Sequence, residues 1–425
     1  MAVATAVPAL DLLHPTPSWR IDFEGTRVAI HLAFAGGVSG GLFSEALEHA
    51  TFAPSTWDSN TFANDLFLQR FVTHCLRIRI GRQEPLANTT HLTRLLAQPP
   101  VDPSIVRYRR AILAELVEVP ELRPQLERLY LDICRLRALL ENSGNLKNWD
   151  PNRRQLDVLG VLKEIIDGLS TGFRTARSGL HLLNYFGESV RRSEPYQALS
   201  DLLSFDGQLA TLSLNVEVGA DGRLRGFQIQ ALRENQENPF VNPAWRRWLA
   251  KLELFVRGYK FGDGEIMARL VDAVFSGLED VTVGLVQLLG DLEFYLAALS
   301  FRDHAASAGL AVCLPELVEA HEPRVLLGLF NPFLLAQGSA VPCNLVSDSF
   351  TTTTLVTGPN SGGKTRLLQA IGLAQVLAQA GLFVPARSGS IALTQGLVVS
   401  LIEETKSDQT EGRLGMELMR IRTLF

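Results

Sequence analysis

The sequence predicts an α-helical core with long, lever-like helices, followed by an α/β domain. Apolar residues recur at spacings of three and four through much of the chain before His304. After His304 the pattern changes to short apolar runs separated by turn residues, which favours strands. With 425 residues and 46% hydrophobic content, the chain can bury a sizeable core in two or three domains.

Composition and charge exclude several classes of protein. The net charge is -5 and the pI is about 6.0, so any site for a polyanion must be local. The four cysteines are widely spaced and form no CxxC pair, which predicts a reduced, cytoplasmic protein without structural zinc. No basic segment opens the N-terminus, and no uncharged apolar run reaches the roughly 18 residues of a membrane span. We therefore expect neither secretion nor membrane insertion.

The chain divides into three predicted regions. Residues 1–55 are rich in proline, glycine and alanine, and we expect them to be irregular apart from one possible strand at Thr26–Phe34. Residues 56–306 form the predicted helical core and lever domain. Residues 307–425 form the predicted α/β domain, which we expect to be incomplete at its C-terminal end.

The helical pattern begins near Trp57 and is interrupted by a turn at Pro99–Pro103. An amphipathic helix then runs from Ile105 to Leu116 and stops near Pro120. The next helix carries a narrow apolar seam with spacings 3, 4, 3 and 4, as a coiled-coil partner requires. The seam residues are Leu126, Leu129, Ile133, Leu136 and Leu140. Three arginines off this seam (Arg128, Arg135 and Arg137) are interpreted as solvated helix charges, with a phosphate-facing stripe as the alternative.

Three further elements complete the core. A second helical stretch runs from about Arg154 to Phe186, and residues 209–232 alternate in the manner of a β-hairpin. The longest helical pattern extends from about Gly264 to Ala306, and about 40 residues of helix span about 60 Å. This helix and the 126–140 helix would pack together as a lever-like arm, although core helices of an ordinary α-domain show the same pattern.

A phosphate-binding motif follows the predicted strand at Phe350–Thr357 and precedes a helix. It fits G-x-x-x-x-G-K-[ST], and its residues are Gly358, Pro359, Asn360, Ser361, Gly362, Gly363, Lys364 and Thr365. Glycines let backbone N–H groups converge on phosphates at a helix N-terminus. Lys364 would bridge the β- and γ-phosphates, and the Thr365 hydroxyl would bind Mg²⁺. Lysine is scarce in this chain, with six against 34 arginines, so Lys364 is a specific choice.

Hydrolysis also needs acidic residues that hold the hydrated Mg²⁺ and orient the attacking water. The candidates after the loop are Glu403 and Glu404, which end the apolar run Leu397–Ile402. Strands that end in acids are common, so these two residues are weak candidates for catalysis.

The segment Leu355–Ala386 resembles the ATPase domain of the MutS family of DNA mismatch-repair and recombination proteins. The resemblance rests on GPN-x-GGK and on G-x-x-VPA at Gly381–Ala386. Upstream, Arg324–Asp348 is similar to the segment that leads into that domain, and Trp57–Leu116 to the start of the family's helical core. The resemblance implies a P-loop ATPase domain of ABC type, ATP and Mg²⁺ as cofactors, DNA as a sequence-independent partner, a homodimer, and an ATP-driven clamp motion on DNA.

Four departures from the family pattern limit what the resemblance implies. No segment resembles the mismatch-reading domain, so we expect a shorter relative without it. Ala340 stands where the family has an aromatic residue that stacks on adenine, and Leu414 stands where a serine reaches the partner's nucleotide. The chain stops at Phe425, near where the acidic magnesium-binding strand should begin, and Glu403 and Glu404 belong to an earlier strand in the family register.

Two alternatives remain open. The chain could be a non-hydrolysing structural relative, in which a truncated nucleotide fold and the helical core serve dimerisation. It could also be an SMC- or ABC-type coiled-coil ATPase, but in those proteins the phosphate loop precedes the coiled coil. Here about 350 residues precede the loop.

Overall fold

A computed structural model of the chain describes most of its length. The described residues are 8–36, 40–141, 151–207, 211–218, 224–233, 271–349, 351–359, 362–401 and 422. The fold is mostly helical with one small mixed sheet, which confirms a helical core joined to a partial α/β domain. The helices before the hairpin are α1 (Phe23–Ala35), α2 (Leu42–Glu48), α3 (Leu68–Cys75), α4 (Thr89–Ala97), α5 (Pro103–Glu118), α6 (Leu122–Glu141), α7 (Pro151–Thr171), α8 (His181–Arg191) and α9 (Glu194–Gly207). After it come α10 (Glu279–Ser307) and α11 (Lys364–Ala380).

The predicted strand at Thr26–Phe34 is wrong, because these residues belong to α1. The alternating apolar residues suggested a strand, but the buried residues of this run recur at helical spacings, and Val28 is 57% exposed. The helix ends decide the structure. The Asp22 carboxylate caps the N-terminus, and Gly36, at φ +92°, closes the C-terminus in the left-handed region that glycine tolerates. With α2, the region expected to be irregular therefore contains two helices.

The seam of α6 is confirmed. All five seam residues (Leu126, Leu129, Ile133, Leu136 and Leu140) are buried, and α6 packs between α7 and α10. The arginines off the seam pair with acids: Arg135 reaches Glu164 at 3.0 Å, and Arg137 reaches Glu141 at 2.9 Å. This arrangement matches their interpretation as helix surface charges.

The long helix expected from Gly264 to Ala306 is shorter within the described residues. Residues 271–276 are helical, a turn follows at 277–278, and α10 then runs for 29 residues, or about 44 Å. Every residue from Val281 to Phe301 is buried, so α10 is covered on all faces. The helix is therefore the central element of the core and not a projecting lever.

By length and hydropathy α10 could also cross a membrane, and its apolar window is wholly buried inside the protein. Core helices show the same composition.

Two carboxylates lie inside the core on α10. Asp291 contacts the buried guanidinium of Arg20, and burial raises the pKa of this carboxyl to about 6. Glu293 accepts hydrogen bonds from the N–H of Asn88 at 2.9 Å and from the hydroxyl of Tyr130 at 3.4 Å. Burial raises the pKa of Glu293 to about 7. These contacts join the N-terminal segment, α4 and α6 to the central helix.

The helical stretch predicted from Arg154 to Phe186 is divided by a turn between α7 and α8. Phe173 occupies this turn at φ +56°, with its ring buried and its N–H donated to the Gln125 side chain at 2.8 Å. The Glu115 carboxylate accepts two successive N–H groups of the turn, at 2.6 and 2.9 Å. Tertiary hydrogen bonds therefore hold a break that the apolar periodicity does not reveal.

The predicted hairpin is confirmed as β1 (Thr211–Val218) and β2 (Leu224–Arg233), which pair antiparallel. The remaining strands are β3 (Glu316–Val318), β4 (Arg324–Leu329), β5 (Cys343–Ser347) and β6 (Ser388–Ala392). They form one sheet in the order β3-β6-β4-β5, in which β3 and β6 are parallel and β4 is antiparallel to both neighbours.

The predicted strand Phe350–Thr357 does not form in the described residues. Residues 352–357 lie outside the sheet, and Leu355 is 86% exposed. A threonine-rich run favours a strand only where a neighbour can pair with its N–H and C=O groups. The apolar run Leu397–Ile402 likewise forms no ladder up to residue 401, and Val399 instead donates its N–H to the carbonyl of Thr61 at 2.8 Å.

Candidate functional site

The glycine-rich loop has the backbone conformations that its sequence requires. Gly358 lies at φ +150°, and Gly363 lies at φ +81° as the N-cap of α11. The N–H of Gly362 donates to the carbonyl of Pro359 at 3.0 Å. A side chain at Gly363 would meet no neighbouring atom, so glycine is needed there for its positive φ.

Lys364 and Thr365 begin the helix and complete the site. The Lys364 ammonium group donates to the carbonyl oxygens of Gly358 at 2.7 Å and Pro359 at 2.6 Å. The ammonium is thus folded over its own loop, and phosphate oxygens can replace the two carbonyls. Thr365 is exposed in the first turn, where its hydroxyl can reach an incoming ligand. Asn360 and Ser361, also predicted to bind the nucleotide, lie outside the described residues.

The helix behind the loop supplies both charge and rigidity. α11 is 17 residues, or about 25 Å, long, and its N-terminus carries about half a positive elementary charge. Its first turn is largely exposed, whereas almost every residue from Gln369 to Ala380 is buried. The loop therefore sits on the free end of a helix whose remainder is part of the core.

An asparagine fixes the first turn of α11 to the partial α/β domain. Asn331 follows β4 and donates from its amide nitrogen to the Arg366 carbonyl and to the Gln369 side chain, both at 2.9 Å. Arg366 also donates to Gln369, at 3.0 Å. These bonds position the start of the helix, and with it the loop, relative to the sheet.

A buried arginine secures the other end of α11. Arg109 of α5 is 1% exposed and donates to the carbonyls of Ala380 at 3.2 Å and Leu13 at 3.1 Å. Burial lowers the pKa of Arg109 to about 10, so the side chain remains protonated at neutral pH. Gln379 donates in addition to the carbonyl of Pro100 at 2.9 Å. Sequence reasoning missed these anchors, because nothing in the spacing of Arg109 and Gln379 connects two segments 270 residues apart in sequence.

The structure describes neither of the acidic candidates. Glu403, Glu404 and the segment around Leu414 lie outside the described residues. Ala340 is partly buried and packs against the apolar core. Among the described residues, no group of three or more His, Cys, Asp and Glu side chains is placed to hold a metal ion. Of the residues predicted to bind or assist Mg²⁺, Thr365 is the one that the described part of the chain includes.

Comparison with known proteins identifies the segment that carries this loop. Residues 354–424 match the family described as MutS domain V. An "Endonuclease MutS2" of Geobacillus thermodenitrificans is 37% identical over 89 residues, which cover 21% of this chain and 11% of the relative. A "DNA mismatch repair protein MSH2" of Arabidopsis thaliana is 30% identical over 159 residues, covering 36% of this chain and 16% of the relative.

A second "Endonuclease MutS2", of Thermomicrobium roseum, is 34% identical over 165 residues, covering 36% of this chain and 19% of the relative. The alignments thus span between about a tenth and a fifth of the relatives' lengths. The matched domain contains the loop, α11 and the G-x-x-VPA segment that α5 supports. Residues 354–424 are thus similar to domain V of the MutS family, and the comparison identifies this segment of the chain.

Proposed function

We propose that the chain is an ATP-binding, DNA-associated protein of DNA mismatch repair or recombination. The observation that carries the proposal is the glycine-rich loop Gly358–Thr365 on the N-terminus of α11, inside the segment that matches MutS domain V. In this proposal the protein is cytoplasmic and acts as a homodimer.

ATP would bind with its phosphates over the loop, and three kinds of group in the chain would contact the phosphates or the metal ion. The N–H groups at the start of α11 face the β-phosphate, and the helix dipole favours the negative charge. Lys364 exchanges its bonds to Gly358 and Pro359 for phosphate oxygens. Mg²⁺, when bound, neutralises phosphate charge, and Thr365 is the residue that would hold it, with Glu403 and Glu404 as the candidate acids.

ATP binding would bias the protein between open and clamped states on DNA, so that the two affinities are coupled reciprocally. The anchoring of α11 supports this coupling, because hydrogen bonds join the buried end of this helix to Arg109 and to the Pro99–Pro103 turn, and a displacement at the loop would reach them along the helix. The moving parts in this proposal are packed core helices and not free lever arms.

The test measures thermal unfolding of the full chain with and without Mg-ATP. We expect ATP to raise Tm in the wild type and to have no effect in Lys364→Ala. At an ATP concentration of 100 Kd the stabilisation is about 2.7 kcal/mol. Lys163→Ala serves as the control, since Lys163 pairs with Asp167 on α7 and should leave the ATP effect intact. Equal protection of wild type and Lys364→Ala, or no protection of either, refutes the proposal.

A second candidate is a non-hydrolysing structural relative. The observation that favours it is the position of residues 352–357, which are largely exposed and lie outside the sheet where a P-loop ATPase domain needs a central strand. Phosphate release from ATP, measured with and without DNA, separates the candidates. Turnover that disappears in Lys364→Ala excludes the structural relative.

A further inference from the structure

A short stretch of the core is strongly basic in a chain that is acidic overall. Residues 66–83 contain four arginines and one histidine and no aspartate or glutamate, whereas the whole chain has a net charge of -5. We call the exposed members of this stretch the basic ridge. They are Arg70, His74, Arg77, Arg79 and Arg82.

The first residues of the ridge lie on α3 and at its C-terminal end. Arg70 and His74 are four residues apart on α3 and therefore share a face. Arg77 follows at the helix C-terminus, where its Nε donates to the carbonyl of Thr73 at 2.9 Å.

The second half of the ridge is a rigid turn. Ile80 and Gln83 exchange backbone hydrogen bonds at 3.0 Å around Gly81, which lies at φ +58°. Arg79 precedes this turn and Arg82 lies within it, and both side chains are exposed. The turn is held to α10, since the N–H of Arg79 donates to the Ser300 hydroxyl at 3.0 Å.

Nearby acids neutralise only part of this charge. Glu84 lies 3.2 Å from Arg79 and 4.0 Å from Arg77, and it is itself half exposed. The charge of Arg79 also affects His304, whose pKa is lowered by burial and by Arg79. Within the described residues, Arg70 and Arg82 form no ion pair. A row of exposed, incompletely paired arginines is a surface suited to a polyanion.

The basic ridge is connected to the first turn of α11 through Phe333 and Asn331. The Arg70 guanidinium lies 5.9 Å from the ring centroid of Phe333. The N–H of Phe333 donates to the side chain of Asn331, which also bonds the first turn of α11 at Arg366. One chain of contacts therefore joins the ridge to the phosphate loop.

We propose that the basic ridge binds the phosphate backbone of DNA without reading its sequence. This inference rests on the proposed function and names the surface that would carry its DNA contact. Arginine suits the task, because its planar guanidinium donates two parallel hydrogen bonds to a phosphate. Backbone contacts of this kind fix the position of a protein on DNA and carry no base specificity.

The test compares DNA affinity of wild type, Arg77→Ala/Arg79→Ala and the control Arg128→Ala as a function of salt. Arg128 is 86% exposed on α6, outside the ridge, and lies 3.9 Å from Asp132. The probes are two fluorescent duplexes of equal length and unrelated sequence, and a fluorescent poly-glutamate peptide. Circular dichroism checks that each variant is folded.

We expect the double variant to weaken binding of both duplexes alike and to lower the slope of log K against log salt by about 1.8, at about 0.9 for each phosphate that is no longer neutralised. The control should keep the wild-type slope. If the double variant binds DNA with the same affinity and the same salt slope as the wild type, the ridge is refuted as the DNA site and the proposed function is left intact. Absence of DNA binding by the wild type refutes the DNA part of the proposed function. Tighter binding of poly-glutamate than of DNA refutes the ridge as a DNA site in favour of an acidic protein partner.

Discussion

Replacing Glu293 by glutamine should abolish a large pH dependence of stability. Glu293 is 0% exposed on the central helix, and burial raises its pKa from 4.5 to about 7. An acid whose pKa is higher in the folded state binds its proton more tightly there than in the unfolded chain. Its contribution to stability is therefore complete below pH 4.5 and is lost as the pH rises through about 7.

The magnitude follows from the size of the shift. A rise from 4.5 to about 7 corresponds to about 3 kcal/mol, at 1.36 kcal/mol per pKa unit. Glutamine keeps an amide oxygen that can accept the N–H of Asn88, and it never ionises. The variant should thus gain about 3 kcal/mol relative to the wild type between pH 4.5 and pH 8.

The assay is urea unfolding followed by circular dichroism at intervals from pH 4.5 to pH 8. The difference in free energy of unfolding between Glu293→Gln and wild type removes the contributions of all other titrating groups. Glu24→Gln is the control, because Glu24 is an exposed residue paired with Arg27 and such pairs contribute little. A flat difference curve for Glu293→Gln, or one that falls with rising pH, would refute the reasoning.

Three further predictions concern the core. Gly381→Ala should lose more stability than Gly309→Ala in thermal melts. Both positions have positive φ, at about 1 kcal/mol of strain, but only at Gly381 would a methyl group approach Arg109 Cβ at 3.0 Å; equal losses of stability would contradict the packing. Ile30→Ala should lose about 2–4 kcal/mol and Val28→Ala less than about 0.5, because Ile30 is buried in the core and Val28 is largely exposed. Comparable effects in urea melts would argue against the helix. Arg109→Met should lose about 2–4 kcal/mol by leaving two buried carbonyls unpaired, with Arg109→Lys recovering part of the loss; a neutral Met variant in the same melts would show that these bonds are unnecessary.

Elements with one buried stripe could be predicted from the sequence. The α6 seam and the hairpin between Thr211 and Arg233 each follow a periodicity that only one secondary structure satisfies. The helix of α5 was also expected, from the spacing of its apolar residues and the stop near Pro120. Pro103, assigned to the preceding turn, proves to be its first residue.

Elements whose pattern fits two structures could not be resolved in this way. The alternation in α1 suited a strand, and only the caps at Asp22 and Gly36 with the packing of Ile30 against the core decide for a helix. The break between α7 and α8 depends on Glu115 and Gln125, which are remote in sequence from the turn that they hold. Such contacts have no local signature.

The candidate site also has features that local sequence predicts and features that depend on contacts between remote residues. The glycine-rich loop and the helix that follows it could be predicted from local sequence, because positive φ at Gly358 and Gly363 and a lysine at position 364 are local requirements. The tertiary contacts show that α11 is a buried element held at both ends, by Asn331 and by Arg109. They also show that the longest helix is the centre of the core, since a helix that is apolar on nearly every face is stable in water only when other helices cover it.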